Sequence, residues 1–304
     1  MMTKLVDIII PVHNTLHLTM KCIPALSIMI EEANKKHNTE YSITVIDDGS
    51  DDGTEQWLSH NYPEVNILKG DGNLWWSGAV TMAAKNAFED NNKDYVLLWN
   101  NDIIPEKNYF SILSDILQKT NKIVIIGSKI CELDNPNKIW SVGGIFNPKT
   151  GAKYMLGHDK QINTNNKALI KPDWLTGMGT VVPKETTEKI GYWNYKDFPL
   201  YHGDADFTYR AKKAGVTLIV YPELVLYNDT SNTGFMHDGK LSTLLTSLTA
   251  TRSKYNLKKE WKFYRIHAAS PIANLQLLNK YFRYTGGFIK WKILKLFGRK
   301  KTNQ

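Results

Sequence analysis

Apolar and polar positions follow a regular rhythm over the first 130 residues. Residues 5–10 form a short, continuous, largely β-branched run, the pattern of a strand buried on both faces. Helical periodicity follows over about 16–36, with Pro24 inside it as a candidate kink. Strands are predicted again at 41–46, 65–69, 94–99 and 123–130, with helices at 54–60, 77–89 and 109–118. This alternation predicts an α/β fold with a doubly wound, mostly parallel sheet covered by helices on both faces. Ligands of such sheets bind beyond the carboxyl ends of the strands. The polar clusters at 47–53, 71–73 and 100–102 each follow a predicted strand, so they are expected to converge on one rim.

The rhythm breaks over 131–173, which is rich in Asn, Lys, Gly and Pro. Strand-like pieces near 139–142 and 153–156 predict a hairpin and a loop. Regular elements resume near Trp174. A helix is expected over 204–214, stopped by Gly215, then a strand over 216–220. Beyond His237 the pattern is mainly helical, and the chain has no internal repeat.

Charge changes this picture at one end. The net charge is +8, yet residues 252–304 hold fourteen Lys or Arg and a single acid, Glu260. The remaining 251 residues carry 24 basic and 29 acidic side chains. A basic tail of this kind suits an anionic membrane or a nucleic acid. No nucleic-acid-binding motif accompanies it, so no nucleic acid partner is expected. On a helical wheel over 289–299, Ile289, Ile293, Leu296 and Phe297 share one face and Lys292, Lys295 and Arg299 the other, with Lys290 interrupting the apolar side. That predicts a helix lying in a membrane interface. The only cysteines, Cys22 and Cys131, form no disulfide framework or metal-ligand spacing, and no apolar run has membrane-spanning length. The expected location is cytoplasmic, peripheral on the inner face of the cell membrane.

Four segments carry candidate chemistry. Asp47-Asp48-Gly49-Ser50 puts carboxylates just past a buried strand, where one could accept an imide N–H of a base or simply close an Asx turn. Gly70-Asp71-Gly72-Asn73-Leu74-Trp75-Trp76-Ser77 precedes a helix and suits ribose or diphosphate contact; with Ser77 as N-cap it equally suits a plain helix start. It is neither a Walker A loop nor a GxGxxG fingerprint. Asn100-Asn101-Asp102 could present Asp102 to a hard divalent cation, or could cap the helix after Pro105. In Gly203-Asp204-Ala205-Asp206, the two aspartates are two apart and so serve different ends. Asp204 could take a proton from a hydroxyl or cap a helix; Asp206 has Arg210 at i+4 for an ion pair.

Taken in order, these segments resemble glycosyltransferase family 2. The matching residues are Ile8-Ile9-Ile10-Pro11-Val12-His13-Asn14, Asp47-Asp48-Gly49-Ser50, Gly72-Asn73 with Gly78-Ala79, Asn100-Asn101-Asp102, Leu175-Thr176-Gly177-Met178-Gly179 with Ile190-Gly191, and Gly203-Asp204-Ala205-Asp206 with Arg210. They span about residues 5–230. Leu74-Trp75-Trp76 is further similar to a bacterial rhamnosyltransferase-like subgroup. The resemblance implies a GT-A (nucleotide-diphospho-sugar transferase) fold over 1–237, with a donor half of about 1–130 and an acceptor half of 131–237, followed by a helical, basic C-terminal extension over 238–304.

It also implies an inverting sugar transfer from a nucleotide-sugar donor, dTDP- or UDP-linked, to a glycan or lipid-linked saccharide acceptor. Pro11, His13 and Asn14 would lie on the nucleotide-binding loop. Asp47 or Asp48 would bind the base, with Asp48 preferred, and Asn73 would contact the nucleoside. Asn101 and Asp102 stand where the family carries its DxD motif, Asp102 holding Mn²⁺ or Mg²⁺. Asp204 matches the catalytic base; Trp174, Gly177, Met178 and Asp206 lie on the acceptor side. Two departures stand out: Gly203 replaces a Glu common before the base, and Tyr227-Asn228-Asp229 replaces a late His, leaving Asn228, Asp229 or His237 as substitute ligands. The competing readings are a degenerate nucleotide- or glycan-binding module and a sugar nucleotidylyltransferase; Pro11-Val12-His13-Asn14 lacks the basic, glycine-rich loop of the latter.

Overall fold

The computed structural model describes residues 2–120, 123–158, 160, 168–229 and 240–296. His237, Phe297 and Arg299 lie outside them. Two compact units are present, Met1–Ile145 with Met155–Asn232, and Phe146–Tyr154 with Thr233–Gln304.

The first unit is built on one sheet. Strands β1 (Lys4–Val12), β2 (Thr39–Asp47), β3 (Asn66–Lys69) and β4 (Tyr95–Leu98) are mutually parallel in the order β3-β2-β1-β4. Beyond β4 the sheet continues through β10 (Thr180–Pro183), β6 (Val124–Glu132), β11 (Thr217–Asn228) and β5 (Ile103–Pro105), with β7 (Ile139–Ser141) pairing onto β6; β8 (Gly144–Phe146) and β9 (Lys153–Met155) form a separate two-stranded sheet, and short helices α2 (Thr54–Asn61) and α5 (Lys184–Ile190) follow β2 and β10. β11 is parallel to β6, whereas β10 and β5 run antiparallel to their neighbours. The mostly parallel, doubly wound expectation therefore holds. Residues 103–105, between the Asn100-Asn101-Asp102 turn and the helix after it, form an edge strand against the end of β11.

Burial explains why these runs become central strands. Ile8, Ile9 and Ile10 are all fully buried, but they face two different cores. Ile8 and Ile10 pack with Ile23, Leu26 and Ile30 of α1 (Leu16–Lys36) and with Phe110 and Leu113 of α4 (Tyr109–Lys119). Ile9 packs with Val80, Ala83 and Ala84 of α3 (Trp75–Lys85) and with Phe207 and Ala211 of α6 (Gly203–Lys213). Alternate residues of each strand serve alternate faces, so an uninterrupted apolar run is what a sheet covered on both sides requires. Helix α1 passes through Pro24 without a break.

The second unit contains α7 (Leu241–Thr249), α8 (Leu257–His267) and α9 (Pro271–Leu296). Its core joins Phe146, Phe263, Tyr264 and His267. The hydroxyl of Tyr264 donates to the Gly151 carbonyl at 2.6 Å.

Candidate active site

Because β1, β2, β3 and β4 are parallel, the loops after them share one rim. Antiparallel β10 starts where β4 ends, with Thr180 opposite Leu98, so the segment before β10 reaches that rim too.

The loops after β1 and β2 are stapled together. His13 Nδ1 donates to the Asp48 carbonyl at 2.7 Å, Asn14 N to Ser50 Oγ at 3.0 Å, and Asp51 N to Asn14 Oδ1 at 2.9 Å. Asn14 sits in the left-handed region at φ 51°, which Asn tolerates better than most residues. Asp52, which the sequence did not single out, accepts Leu16 N at 2.7 Å and so fixes the start of α1. Asp47 Oδ1 accepts Ser50 N at 2.9 Å and closes the turn.

Asp48 is buried, and its carboxylate is held by backbone donors: Gly72 N at 2.9 Å and Leu74 N at 3.3 Å on Oδ1, and Trp75 N at 2.9 Å on Oδ2. These are among the otherwise unpaired N–H groups that precede a helix. Gly70 makes room for this, since a Cβ there would collide with Asp48 Oδ1. Helix α3 consequently starts at Trp75 rather than after Ser77: the cap is a carboxylate from a distant loop, not the local hydroxyl. Trp75 takes φ 54°, a strained state for an aromatic residue, and the Asp48 hydrogen bond to its N–H helps hold it there. Asn73 stays exposed beside Asp71, its N–H donating to Asp71 Oδ1.

Trp76 links the two sides of the rim. Its Nε1 donates to Asn100 Oδ1 at 3.3 Å, and its ring packs so closely on Gly177 that a Cβ there would overlap it. Gly177 N in turn donates to Asp204 Oδ2 at 3.1 Å. A continuous path thus runs from Asn100, two residues before Asp102, to Asp204 in the first turn of α6. Neither Trp76 nor Asn100 was selected from sequence; the twin tryptophans read equally well as core.

The two aspartates of α6 do part company. Asp204 is half-buried and directed at Gly177, whereas Asp206 is fully buried and paired with Arg210 Nε at 2.9 Å. Arg210 also donates to the carbonyls of Ile190 and Tyr192, tying that loop to α6. Trp174 and Met178, expected on the acceptor side, are buried, so their side chains support the segment from within. Asn101 likewise turns inward, donating to Thr15 Oγ1 at 2.9 Å and Thr19 Oγ1 at 3.1 Å.

Asp102 has a different environment. Its Oδ1 is buried without a hydrogen-bond partner among the described residues. Asp102 and Asp229 line one cavity of about 230 Å³, together with Lys21, Cys22, Asn101 and Leu133. Burial pushes the Asp102 carboxyl above its ordinary range, and the charge of Asp229 acts in the same direction. Two carboxylates on one cavity, one with an unsatisfied oxygen, fit a hard divalent cation whose other positions are filled by diphosphate and water. Among the described residues no third His, Cys, Asp or Glu completes a metal cluster.

The raised Asp102 carboxyl has a signed consequence. A carboxyl whose folded-state value lies above the unfolded one favours folding below the unfolded value and loses that contribution as pH rises through the folded one. Asp102→Asn should therefore stabilise metal-free protein at neutral pH by about 0.5–2 kcal/mol, and give no gain in acid below the ordinary carboxylate range. Urea unfolding in EDTA at the two pH values measures this; a neutral-pH loss would mean that the carboxylate has a favourable partner.

A parallel sheet with its polar loops on one rim, a buried carboxylate at a strand end and a second carboxylate on the facing helix define a GT-A-type transferase fold. The chain belongs to glycosyl transferase family 2, whose family model matches residues 7–176. Among curated proteins it resembles the low-salt glycan biosynthesis hexosyltransferase Agl10 of Haloferax volcanii, with 25% identity over 182 residues, 57% of this chain and 54% of that protein. The chain thus spans about half the length of this curated relative. Among solved structures it is similar to GalNAc-T7 crystallised with UDP, GalNAc and Mn²⁺, at a TM-score of 0.55 and 12% identity over 86% of this chain and 49% of that one. Staphylococcus aureus TarS 1–349 aligns at a TM-score of 0.48 and 14% identity, over 74% and 60% of the two chains.

Proposed function

We propose that this protein is an inverting glycosyltransferase that moves a hexosyl or deoxyhexosyl group from a UDP- or dTDP-sugar to a hydroxyl of a glycan or lipid-linked saccharide, in the assembly of a bacterial cell-surface polysaccharide. The observation that carries the reading is the path from Asn100 through Trp76 and Gly177 to Asp204. It connects the start of the Asn100-Asn101-Asp102 turn to a carboxylate fixed by a backbone N–H.

On this reading the nucleoside lies against the stapled loops bearing Pro11, His13 and Asn14, with Asp47 closest to the base and Asn73 exposed toward the ribose. Asp48 contributes by shaping the turn that receives the nucleotide. Asp102, with Asp229 beside it, would hold a divalent cation, Mn²⁺ or Mg²⁺, which when bound stabilises the charge that grows on the leaving diphosphate. The acceptor oxygen bonds to the anomeric carbon from the face opposite the diphosphate. The bond to the diphosphate oxygen breaks, and Asp204 takes the hydroxyl proton. Gly177 N–H holds the Asp204 carboxylate for that task. The basic C-terminal extension keeps the enzyme at the cytoplasmic face of the membrane, beside lipid-linked acceptors.

A thermal-shift screen against UDP-, dTDP- and GDP-sugars with Mn²⁺, Mg²⁺ or EDTA tests the donor side. The expected result is a metal-dependent rise confined to one base, of about 2.7 kcal/mol in stability at a hundredfold excess over Kd. Equal shifts with and without EDTA would remove the metal from the scheme. No shift with any donor would favour the degenerate binding module.

A further inference from the structure

The sequence placed an amphipathic face over 289–299, in the last turns of the chain. The described part of α9 shows a longer one. Ala273, Leu277 and Tyr281 point into the second unit and are buried. On the opposite side, Ile272, Leu275, Leu278, Phe282, Ile289 and Ile293 are all exposed, Phe282 at 78%. At 3.6 residues per turn these six fall within about 120° of the helix surface and extend along about 32 Å of it. Gly286 interrupts the row and leaves an open notch of about 370 Å³ bordered by Phe282, Ile289 and Ile293. Arg283 borders the row on one side and Lys292 on the other, about 80–100° from its centre, while Lys290 shares the angle of Ile272 at the row's edge, about 60° from the centre.

We propose that this face of α9 is a docking surface for an anionic lipid bilayer, with the helix lying in the plane of the interface. Charge complementarity selects the bilayer over another protein surface. Residues 252–304 carry fourteen basic side chains, and their one acid, Glu260, is buried and paired with Lys280 at 2.9 Å. The apolar row suits the acyl boundary while the flanking cations reach lipid phosphates. Arg283, Lys290 and Lys292 make α9 a helix that rests on the membrane; among the described residues no helix is long and apolar enough to cross one. The inference rests on the membrane-side reading of the basic extension and is independent of the chemistry at Asp102 and Asp204.

The test is co-sedimentation of the full chain with vesicles of phosphatidylcholine alone or mixed with phosphatidylglycerol. Wild type is expected to bind only the mixed vesicles, and to release as NaCl is raised. Leu275→Glu combined with Phe282→Glu should lower the partition coefficient about tenfold or more. Both side chains are exposed, so the far-UV spectrum and melting temperature should match wild type. Gln276→Glu, an equal charge change per site placed off the row, should leave binding within about twofold. No binding of wild type to mixed vesicles would overturn both this proposal and the membrane reading. Binding that the paired Glu variant leaves intact would overturn the α9 face alone. A self-association that the paired variant dissolves, without vesicle binding, would assign the face to a second copy of the chain.

Discussion

Asp204→Asn should lower kcat by about 10²–10⁴-fold, the range contributed by a positioned general base. Affinity for the nucleoside diphosphate with metal should change by no more than a factor of about two. The substitution is nearly isosteric, and the one amide oxygen can still accept the Gly177 N–H at 3.1 Å, although the Ala205 N–H, which donates to the other carboxylate oxygen at 2.7 Å, then loses its acceptor. What disappears is a carboxylate oxygen able to take the acceptor's proton. Steady-state kinetics on wild type and variant, with calorimetric binding of UDP and dTDP in Mn²⁺, separate the two effects. Turnover like that of wild type would dismiss Asp204 as the base. Equal losses in turnover and nucleotide affinity would make it a structural residue of the α6 start.

The second large effect belongs to Asp48. Asp48→Ala removes the acceptor for three backbone N–H groups, those of Gly72, Leu74 and Trp75. Charge-assisted hydrogen bonds to a buried group are individually worth about 1.5–3 kcal/mol, and they do not add in full. An overall loss of about 3 kcal/mol in urea unfolding is expected. Nucleotide binding should weaken alongside, because the strained Trp75 and the turn before it lose their anchor. Asp48→Asn keeps one oxygen and should lose less than Asp48→Ala. If affinity for the nucleotide fell while stability stayed unchanged, Asp48 would be a base ligand, the role the family resemblance suggested.

These two residues show where the sequence is informative. Both sit in motifs visible without a structure: Asp48 in a polar cluster after an apolar run, which marks a strand end in a parallel sheet, and Asp204 at the start of a helical pattern. The strands were legible for the same reason: Ile8, Ile9 and Ile10 have no polar face to conceal. Side-chain direction was harder to read. Asn101 turns toward α1 because Thr15 and Thr19 offer oxygens there, a pairing across more than eighty residues. The start of α3 was misplaced by two residues because its cap is supplied from β2's loop. The bridge from Trp76 to Asn100 and Gly177 was hidden because apolar spacing gives a tryptophan no label for core or cleft. The Asp206–Arg210 pair, a local i,i+4 contact, was legible at once.

The position of β10 has a bearing on synthesis. β4 and β6 start 29 residues apart in sequence, yet both pair with β10, β4 along Thr180–Pro183 and β6 at Val181. While the nascent chain is still short of those residues, both strands lack this partner at edges that carry Val96, Leu97 and Leu98 on β4 and Val124, Ile125 and Ile126 on β6. Pairings this distant in the chain form late and slowly, and unpaired strands are the usual seeds of aggregation. Residues 1–130, although they contain most of the loops proposed to receive the nucleotide, are therefore a poor fragment to express alone. Ribosome-bound chains halted before residue 180 should depend on chaperones in a way that chains released just after it do not.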